Sequence, residues 1–429
     1  IDMDKLTAEK YSSLQEAYDS LLEYISNYIS NDTGFGKKVY RYMISSGSIS
    51  GWEVCMMLYE QGVLEPSGSA YEGLSSGRMS AYDFMINAIT EKTITPAQLA
   101  LEPCSGSAVV ADPDTGELLA LVSYPGYDNN RLSGTVDKDY YEQLRNDKAK
   151  PLINKATSLR TAPGSIFKPC SAITGLEQGV ISTGESIVCT GQYTAVTPSP
   201  KCWIYPRSHG AENVSTAIRD SCNVFFYTVG HRLGMESGGT YNSTKGTDLL
   251  KNYAEQLGLA TKSGVEIYEM DPHPSDRDAV ASAIGQGTHA YSAINLCRYV
   301  STLATSGVCH DFTLVSKITD YNGNVIRDNE PVVSNTMNVS SSTWNAVHQG
   351  MRLVIENTAS FKGLPYQAAG KSGTAQENTN KADHITFISY APYDNPEVAV
   401  SVLIPNGYAS SNAAKLTSDI YKIYWGLDK

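Results

Sequence analysis

Ser165-Ile166-Phe167-Lys168 sets a hydroxyl nucleophile and an amine three residues apart, and S-x-x-K occurs at no other point in the chain. Further on come Ser221-Cys222-Asn223 and then Lys371-Ser372-Gly373-Thr374, in that order. Together they supply a serine, a lysine to take its proton, a second hydroxyl with an amide, and a cationic strand motif. That set is complete for acyl transfer without a histidine. Short patterns recur by chance, so order and surroundings must choose among copies. Ser410-Ser411-Asn412 follows the last motif and is set aside. Lys262-Ser263-Gly264 lies in a polar connection, whereas Lys371 follows the small-residue turn Ala368-Ala369-Gly370. Taken singly, a serine before a helix is usually a cap and a strand-end lysine is usually solvated. The ordered trio outweighs those structural readings.

The elements that must position these groups follow from the flanking residues. Thr161-Ala162-Pro163-Gly164 reads as a turn, and Ser165 to Leu176 as a helix running into the core. Ser165 and Lys168 then share one face. Pro169 is tolerated because N–H groups in a first turn lack intrahelical acceptors. Burial and the positive end of the helix dipole both favour a neutral Lys168, able to deprotonate Ser165. Ser221 can relay a proton between Lys168 and a leaving amine, and the Asn223 amide can hold a substrate backbone group. Lys371 adds positive charge, while Ser372 and Thr374 offer hydroxyls to a carboxylate. Gly373 permits close backbone approach, so strand-like pairing with a peptide is expected.

S-x-x-K, S-x-N and K-[ST]-G in this order mark the serine penicillin-recognising enzymes. Longer stretches resemble the transpeptidase module of class B penicillin-binding proteins. These are Ala108 to Ala120 around Asp112-Pro113-Asp114-Thr115-Gly116, Pro151 to Ala156, His209-Gly210, Ile284-Gly285-Gln286-Gly287, and Tyr390-Ala391-Pro392 with Asn395-Pro396-Glu397. The resemblance runs over roughly residues 105 to 425. It implies a mixed α/β (α+β) fold of the β-lactamase/transpeptidase type, an antiparallel sheet flanked by helices. It also implies a peptidoglycan D,D-transpeptidase that cross-links stem peptides through an acyl-enzyme at Ser165 and is acylated by β-lactam antibiotics. The backbone N–H groups of Ser165 and Thr374 are assigned to the oxyanion hole on the same ground. By the same resemblance the whole protein would sit at the extracytoplasmic face of a bacterial envelope, held by an N-terminal anchor that a soluble fragment lacks. Other cell-wall synthesis proteins are its expected partners. Cys222 and Ser372 stand at tolerant positions of the motifs, and Ile385-Thr386-Phe387 replaces an aromatic pair often found after the position of His384. No glycosyltransferase module is visible.

Length, charge and cysteines narrow the field further. The 429 residues suffice for more than one unit, and a net charge of −12 with no basic run argues against nucleic-acid binding. No run of 18 apolar residues occurs. The eight cysteines, at 55, 104, 170, 189, 202, 222, 297 and 309, show no C-x-x-C spacing, and the seven histidines show no metal spacing. Neither a metal nor a cofactor is expected. Cys189 and Cys202 flank one loop and are read as buried or free thiols, with a disulfide the alternative. Cys222 is expected to point into the core.

The chain is expected to divide into a mainly helical region at 1–104, by the resemblance a remnant or variant of the family's pedestal, and a penicillin-binding transpeptidase domain at 105–429. Residues 4–31 read as one helix whose Tyr11, Leu14, Tyr18, Leu21, Ile25 and Tyr28 share a face, broken at Asn31-Asp32-Thr33-Gly34. Helices are also expected over 38–64, 80–92 and from Thr95. Beyond 105 the pattern predicts a hairpin about 112–116, helices over 165–180, 212–234 and 291–306, strands over 367–376, 383–391 and 397–404, and a helix over 412–425. Pairing of 371–376 with 384–390 would put Lys371 at the sheet edge, facing the nucleophile helix. Two alternatives are kept beside the transpeptidase: a D,D-carboxypeptidase or β-lactamase, and a β-lactam sensor or idle scaffold for wall peptides. Because context selects Lys371 over Lys262, Lys262→Ala is expected to leave penicillin acylation nearly unchanged. A large loss in that variant, measured by labelling kinetics, would show that the wrong K-S-G had been chosen.

Overall fold

A computed structural model describes residues 14–91, 93–94, 105–376 and 381–427. The chain forms two compact units, Ile1–Leu99 and Ala100–Lys429. In the first, helix α1 (Leu14–Asn31) ends where Asp32 caps α2 (Thr33–Ser45), its carboxylate accepting from the Phe35 N–H. This break falls where the sequence placed it. Tyr11 and the Thr95 helix lie outside the described residues. Tyr18 and Tyr28 are exposed, so the aromatic stripe on α1 is not a packed face. The expected helix over 38–64 is two helices. Gly47 takes φ +76° after α2, and Ser50 opens α3 (Gly51–Glu60) with a capping box to Glu53. A short α4 (Gly68–Ser75), unread in the sequence, and α5 (Ala81–Thr90), capped by Ser80, complete a small core of Cys55, Leu58, Leu74, Phe84, Ala88 and Ile94.

The second unit is built on a five-stranded antiparallel sheet. Strands β1 (Gly106–Ala111) and β2 (Leu118–Tyr124) form the expected hairpin around Asp112–Gly116, followed by α6 (Lys138–Asn146) and α7 (Lys155–Ser158). A 3₁₀ turn (Gly164–Phe167) leads into α8 (Lys168–Glu177). A two-stranded ribbon of β3 (Ile187–Cys189) and β4 (Gly210–Glu212) precedes α9 (Val214–Arg219) and α10 (Asn223–Gly234). Helices α11 (Ser243–Gln256), α12 (Ala279–Ser282) and α13 (Ala293–Ala304) follow. Four short strands come next: β5 (Val308–His310), β6 (Lys317–Thr319), β7 (Val325–Asp328) and β8 (Val333–Thr336). Helix α14 (Ser341–Glu356), also unread in the sequence, comes before β9 (Ala369–Ala375), β10 (His384–Ala391), β11 (Val398–Ile404) and α15 (Ser410–Tyr424). The strand order is β2-β1-β11-β10-β9, which leaves β9 at an edge.

Alternation sorts the strands' side chains into two cores. Val109, Ala111, Ile388, Tyr390, Ala399 and Leu403 face the helical lobe, where every residue of α13 is buried. Ala108, Val110, Phe387, Val398, Val400 and Val402 face the other way, toward Tyr421 of α15. Phe387 stacks on Phe361 with ring centroids 5.7 Å apart behind the strand. Among the described residues no helix is long and apolar enough to cross a membrane.

Where the lobes meet, backbone touches backbone. Gly164 has φ +56°, and a Cβ there would come within 2.3 Å of the Thr374 carbonyl oxygen. At Gly285, φ +77°, a Cβ would fall 1.9 Å from the Gly164 carbonyl oxygen, and the Gly164 N–H donates to the Gly285 carbonyl at 3.0 Å. Left-handed backbone costs an L-residue roughly 1–2 kcal/mol and overpacking about 1–3 kcal/mol more. Gly285→Ala is therefore expected to destabilise the module by about 3 kcal/mol; a denaturation midpoint equal to the parent's would contradict this packing.

Candidate active site

Ser165 lies within the 3₁₀ turn, where residues three apart eclipse, and the Lys168 N–H donates to the Ser165 carbonyl. Lys168 thus points the same way as Ser165, and Pro169 falls in the first turn of α8 as expected. The Lys168 side chain is fully buried. Its Nζ donates to Ser221 O at 2.7 Å, Ser221 Oγ at 3.1 Å and Asn223 Oδ1 at 2.7 Å. Burial pulls its pKa from 10.5 down to about 7, against a smaller upward pull from the Cys222 and Cys202 thiols.

The expected helix over 212–234 is broken at the functional point. Between α9 and α10, Ser221 takes φ +52°, a strained conformation for a residue with a side chain. The corner turns Ser221 Oγ, Ser221 O and Asn223 Oδ1 toward one ammonium. Cys222 is fully buried, as expected, and caps α10 by accepting from the Phe225 N–H.

Lys371 reaches the same hydroxyl from the sheet. Its Nζ donates to Ser221 Oγ at 3.2 Å and to Ser372 O at 3.0 Å. The observed register pairs Lys371 with Ile388 and Thr374 with Ile385, within the two segments expected to pair. Alternation along β9 buries Lys371, Gly373 and Ala375 and turns Ser372 and Thr374 outward. Burial, and then the charge of Lys168, hold Lys371 well below its usual range. Burial and their closeness to one another thus disfavour the charged form of both amines.

Ser165, Ser221, Asn223, Ser372 and Thr374 line one cavity of about 720 Å³. Sequence reasoning missed Trp203, Arg219, Asp220, Gln376 and Asp383 on its wall. Arg219 grips Asp220 through two 2.7 Å bonds, and the Trp203 Nε1 donates to the Asp220 carbonyl at 3.0 Å. Behind them Glu212 is buried, and burial raises its pKa to about 7. Only their closeness to Ser221 in the chain could have flagged Arg219 and Asp220. The copies set aside have other tasks. Lys262 is exposed beside Asp271, and the Ser263 hydroxyl is held by Glu269 at 2.7 Å. Ser410 reaches the cavity rim at the start of α15, and Asn412 bonds the Gly407 carbonyl.

Cys189, Cys202, His209 and Cys222 converge, with their donor atoms all within 4.8 Å of one another. Cys189 and Cys202 are free thiols. The spacing of these residues carries no metal signature. The convergence is made by pairing Cys189 with Gly210 across the β3–β4 ribbon and by the corner at Cys222. Three sulfurs and an imidazole are a donor set that suits tetrahedral zinc.

Residues 106–422 match the profile of the penicillin binding protein transpeptidase domain. The chain is 29% identical over 362 residues to the peptidoglycan D,D-transpeptidase MrdA of Haemophilus influenzae, covering 76% of this chain and 53% of that protein. It thus spans about half the length of the curated relatives it matches. Pseudomonas aeruginosa PBP2, solved in complex with WCK 5153, superposes with a TM-score of 0.65 at 26% identity, over 74% of this chain and 70% of that one. The ceftriaxone acyl-enzyme of penicillin-binding protein A from Mycobacterium tuberculosis shares the fold, with a TM-score of 0.66 at 24% identity over 75% and 74% of the two chains.

The Lys168 shift is downward, so between about pH 7 and 10.5 the unfolded chain holds a proton that the folded chain has released. Unfolding free energy should therefore rise with pH across this window, and Lys168→Met should remove that part of the rise. Denaturation curves at several pH values check this; an unchanged slope in the variant would mean that Lys168 titrates normally.

Proposed function

The chain belongs to the penicillin-binding protein transpeptidase family, as a class B member, and we propose that it is a peptidoglycan D,D-transpeptidase acting at the extracytoplasmic face of the envelope. The observation that carries this reading is the buried Lys168, one 3₁₀ turn from Ser165 and sharing the Ser221 hydroxyl with Lys371 beside an open cavity. In this reading a donor stem peptide lies along the free edge of β9, with its carboxylate on the Ser372 and Thr374 hydroxyls. Neutral Lys168 takes the Ser165 proton as Oγ attacks the carbonyl carbon of the penultimate D-Ala. The N–H groups of Ser165 and Thr374 receive the oxyanion, each contributing roughly 3–4 kcal/mol.

Collapse of the tetrahedral intermediate breaks the C–N bond. The proton on Lys168 passes through Ser221 to the departing D-Ala nitrogen. An amine of a second stem then attacks the ester carbonyl and returns its proton along the same route, releasing Ser165. A β-lactam presents the same carbonyl and carboxylate on a ring whose amine stays tethered, so it acylates Ser165 and holds the site. Gly373 serves close approach of β9 to the nucleophile turn: a Cβ there would meet the Pro163 carbonyl oxygen at 2.5 Å. Other cell-wall synthesis proteins are the partners this role calls for.

Intact-protein mass spectrometry with benzylpenicillin tests the reading. A lasting adduct on Ser165 is expected, absent from Ser165→Ala, with Lys168→Ala slowing acylation by about 10²–10⁴-fold. The acylation rate should climb with pH around a midpoint near 7, where Lys168 loses its proton. Rapid turnover without an adduct would support a β-lactamase instead, and an adduct without cross-linking of stem peptides a sensor.

A further inference from the structure

On the transpeptidase reading the donor peptide occupies the β9 side of the cavity, with Ser372 and Thr374 on its carboxylate. The wall made by Trp203, Arg219 and Asp220 then has no task. Arg219 and Asp220 come directly before Ser221, the hydroxyl through which the acceptor's proton must pass. We propose that this wall binds the acceptor, with Arg219 gripping a carboxylate on the carbon that bears the attacking amine. Arg219 would then be a specificity-determining residue that selects amines of amino-acid type over plain alkylamines. The proposal rests on the transpeptidase reading, since it concerns the second half of that reaction.

The state of the guanidinium carries the argument. Such a group has five N–H donors in one planar fork. Arg219 spends one edge on Asp220, Nε to Oδ1 and Nη2 to Oδ2, both at 2.7 Å, and donates to no other residue among those described. The Nη1–Nη2 edge is left, and it matches the two oxygens of a second carboxylate. Arg298 shows what a structural arginine looks like in this fold. It is buried, and its fork is filled by His310 O, Thr261, Lys262 O, Asp311 and Ser334. Arg219 and Asp220 instead line the cavity, with 33% and 29% of their side chains open to water.

The neighbours fit the same ligand. An amino-acid head group carries an ammonium and a carboxylate on one carbon, and the Asp220–Arg219 pair offers the opposite charge to each. The Trp203 ring is exposed on this wall, with its Nε1 tied to the Asp220 carbonyl at 3.0 Å. It gives an apolar face to the methylene chain that carries the amine. The ammonium sheds one proton to water, and the free amine attacks the ester carbonyl on Ser165. The C–N bond forms, the C–Oγ bond breaks, and a second amine proton passes through Ser221 and Lys168 to Ser165 Oγ.

The test loads Ser165 with an acyl-D-alanine thioester. It then offers 2,6-diaminopimelate together with 1,5-diaminopentane, the same carbon chain without carboxylates, at equal free-amine concentration. Mass spectrometry counts the two products. Comparing their ratio between parent and variant cancels the amines' own reactivity and the rate of acylation. Arg219→Gln should shift the ratio toward 1,5-diaminopentane by about tenfold or more. The diamide of diaminopimelate, which lacks the charge, should be used no better by the parent than by Arg219→Gln, relative to 1,5-diaminopentane. An arginine that only braces the corner would slow all the amines alike, and an unchanged ratio overturns the proposal while leaving the transpeptidase standing. Should Arg219→Gln fail to fold, the parent decides: equal use of diaminopimelate and its diamide overturns the site. Transfer to no amine from a loaded Ser165 refutes the transpeptidase reading, and the acceptor site with it.

Discussion

One buried amine organises this module. Lys168 lies wholly out of water, and its Nζ finds three oxygens, all supplied by two residues of a single corner. Burying an amine disfavours its charged form, so the same packing that removes water brings the lysine near neutrality. Three acceptors keep the group satisfied in place of solvent, which a buried polar group requires. The nucleophile turn, the α9–α10 corner and the edge strand must therefore meet at one point. A shift of the nucleophile turn against the corner would leave Lys168 unpaired, and a shift of the strand would part Lys371 from Ser221.

That meeting is possible because the contact surfaces have almost no side chains. Gly164 lies on the Thr374 backbone, Gly285 on Gly164, and Gly373 on Pro163. Thr386, from the neighbouring strand, reaches the Pro163 carbonyl at 3.4 Å. The nucleophile turn is thus seated directly on the sheet, and β9 keeps its outer edge beside Ser165. Alternation then divides the strand's labour, with Lys371 below toward Ser221 and Ser372 and Thr374 above toward the cavity.

The corner at Ser221 is braced from two sides. Toward the cavity, Asp220 is held by Arg219 and by Trp203, with buried Glu212 behind it. Away from the cavity, Cys222 joins the sulfur–imidazole cluster. Both braces belong to the 187–222 excursion, whose short ribbon brings Cys189 beside His209. The excursion has little regular structure of its own, which fits a segment held by polar and sulfur contacts more than by a helix or strand ladder.

Much of this was legible in the residues. Motif order singled out Ser165, Lys168, Ser221, Asn223 and the β9 residues, and the strand pattern paired the β9 segment with the β10 segment, because these signals are local. The sequence reading failed where the deciding contact was remote. The 38–64 and 212–234 stretches read as continuous helices, since helix propensity says little about a residue that tertiary contacts hold in a left-handed turn. Cys189, Cys202, His209 and Cys222 show no pattern because a ribbon and a corner, not spacing, bring them together. The downward pull on the Lys371 pKa was invisible for the same reason: burial and a second amine are properties of the folded state. The sequence by itself determined which candidate groups the site would gather and in what order they lie along the chain. Only the tertiary structure decided their protonation, their shared hydroxyl and the braces around them, because each depends on neighbours far away in sequence and on the exclusion of water.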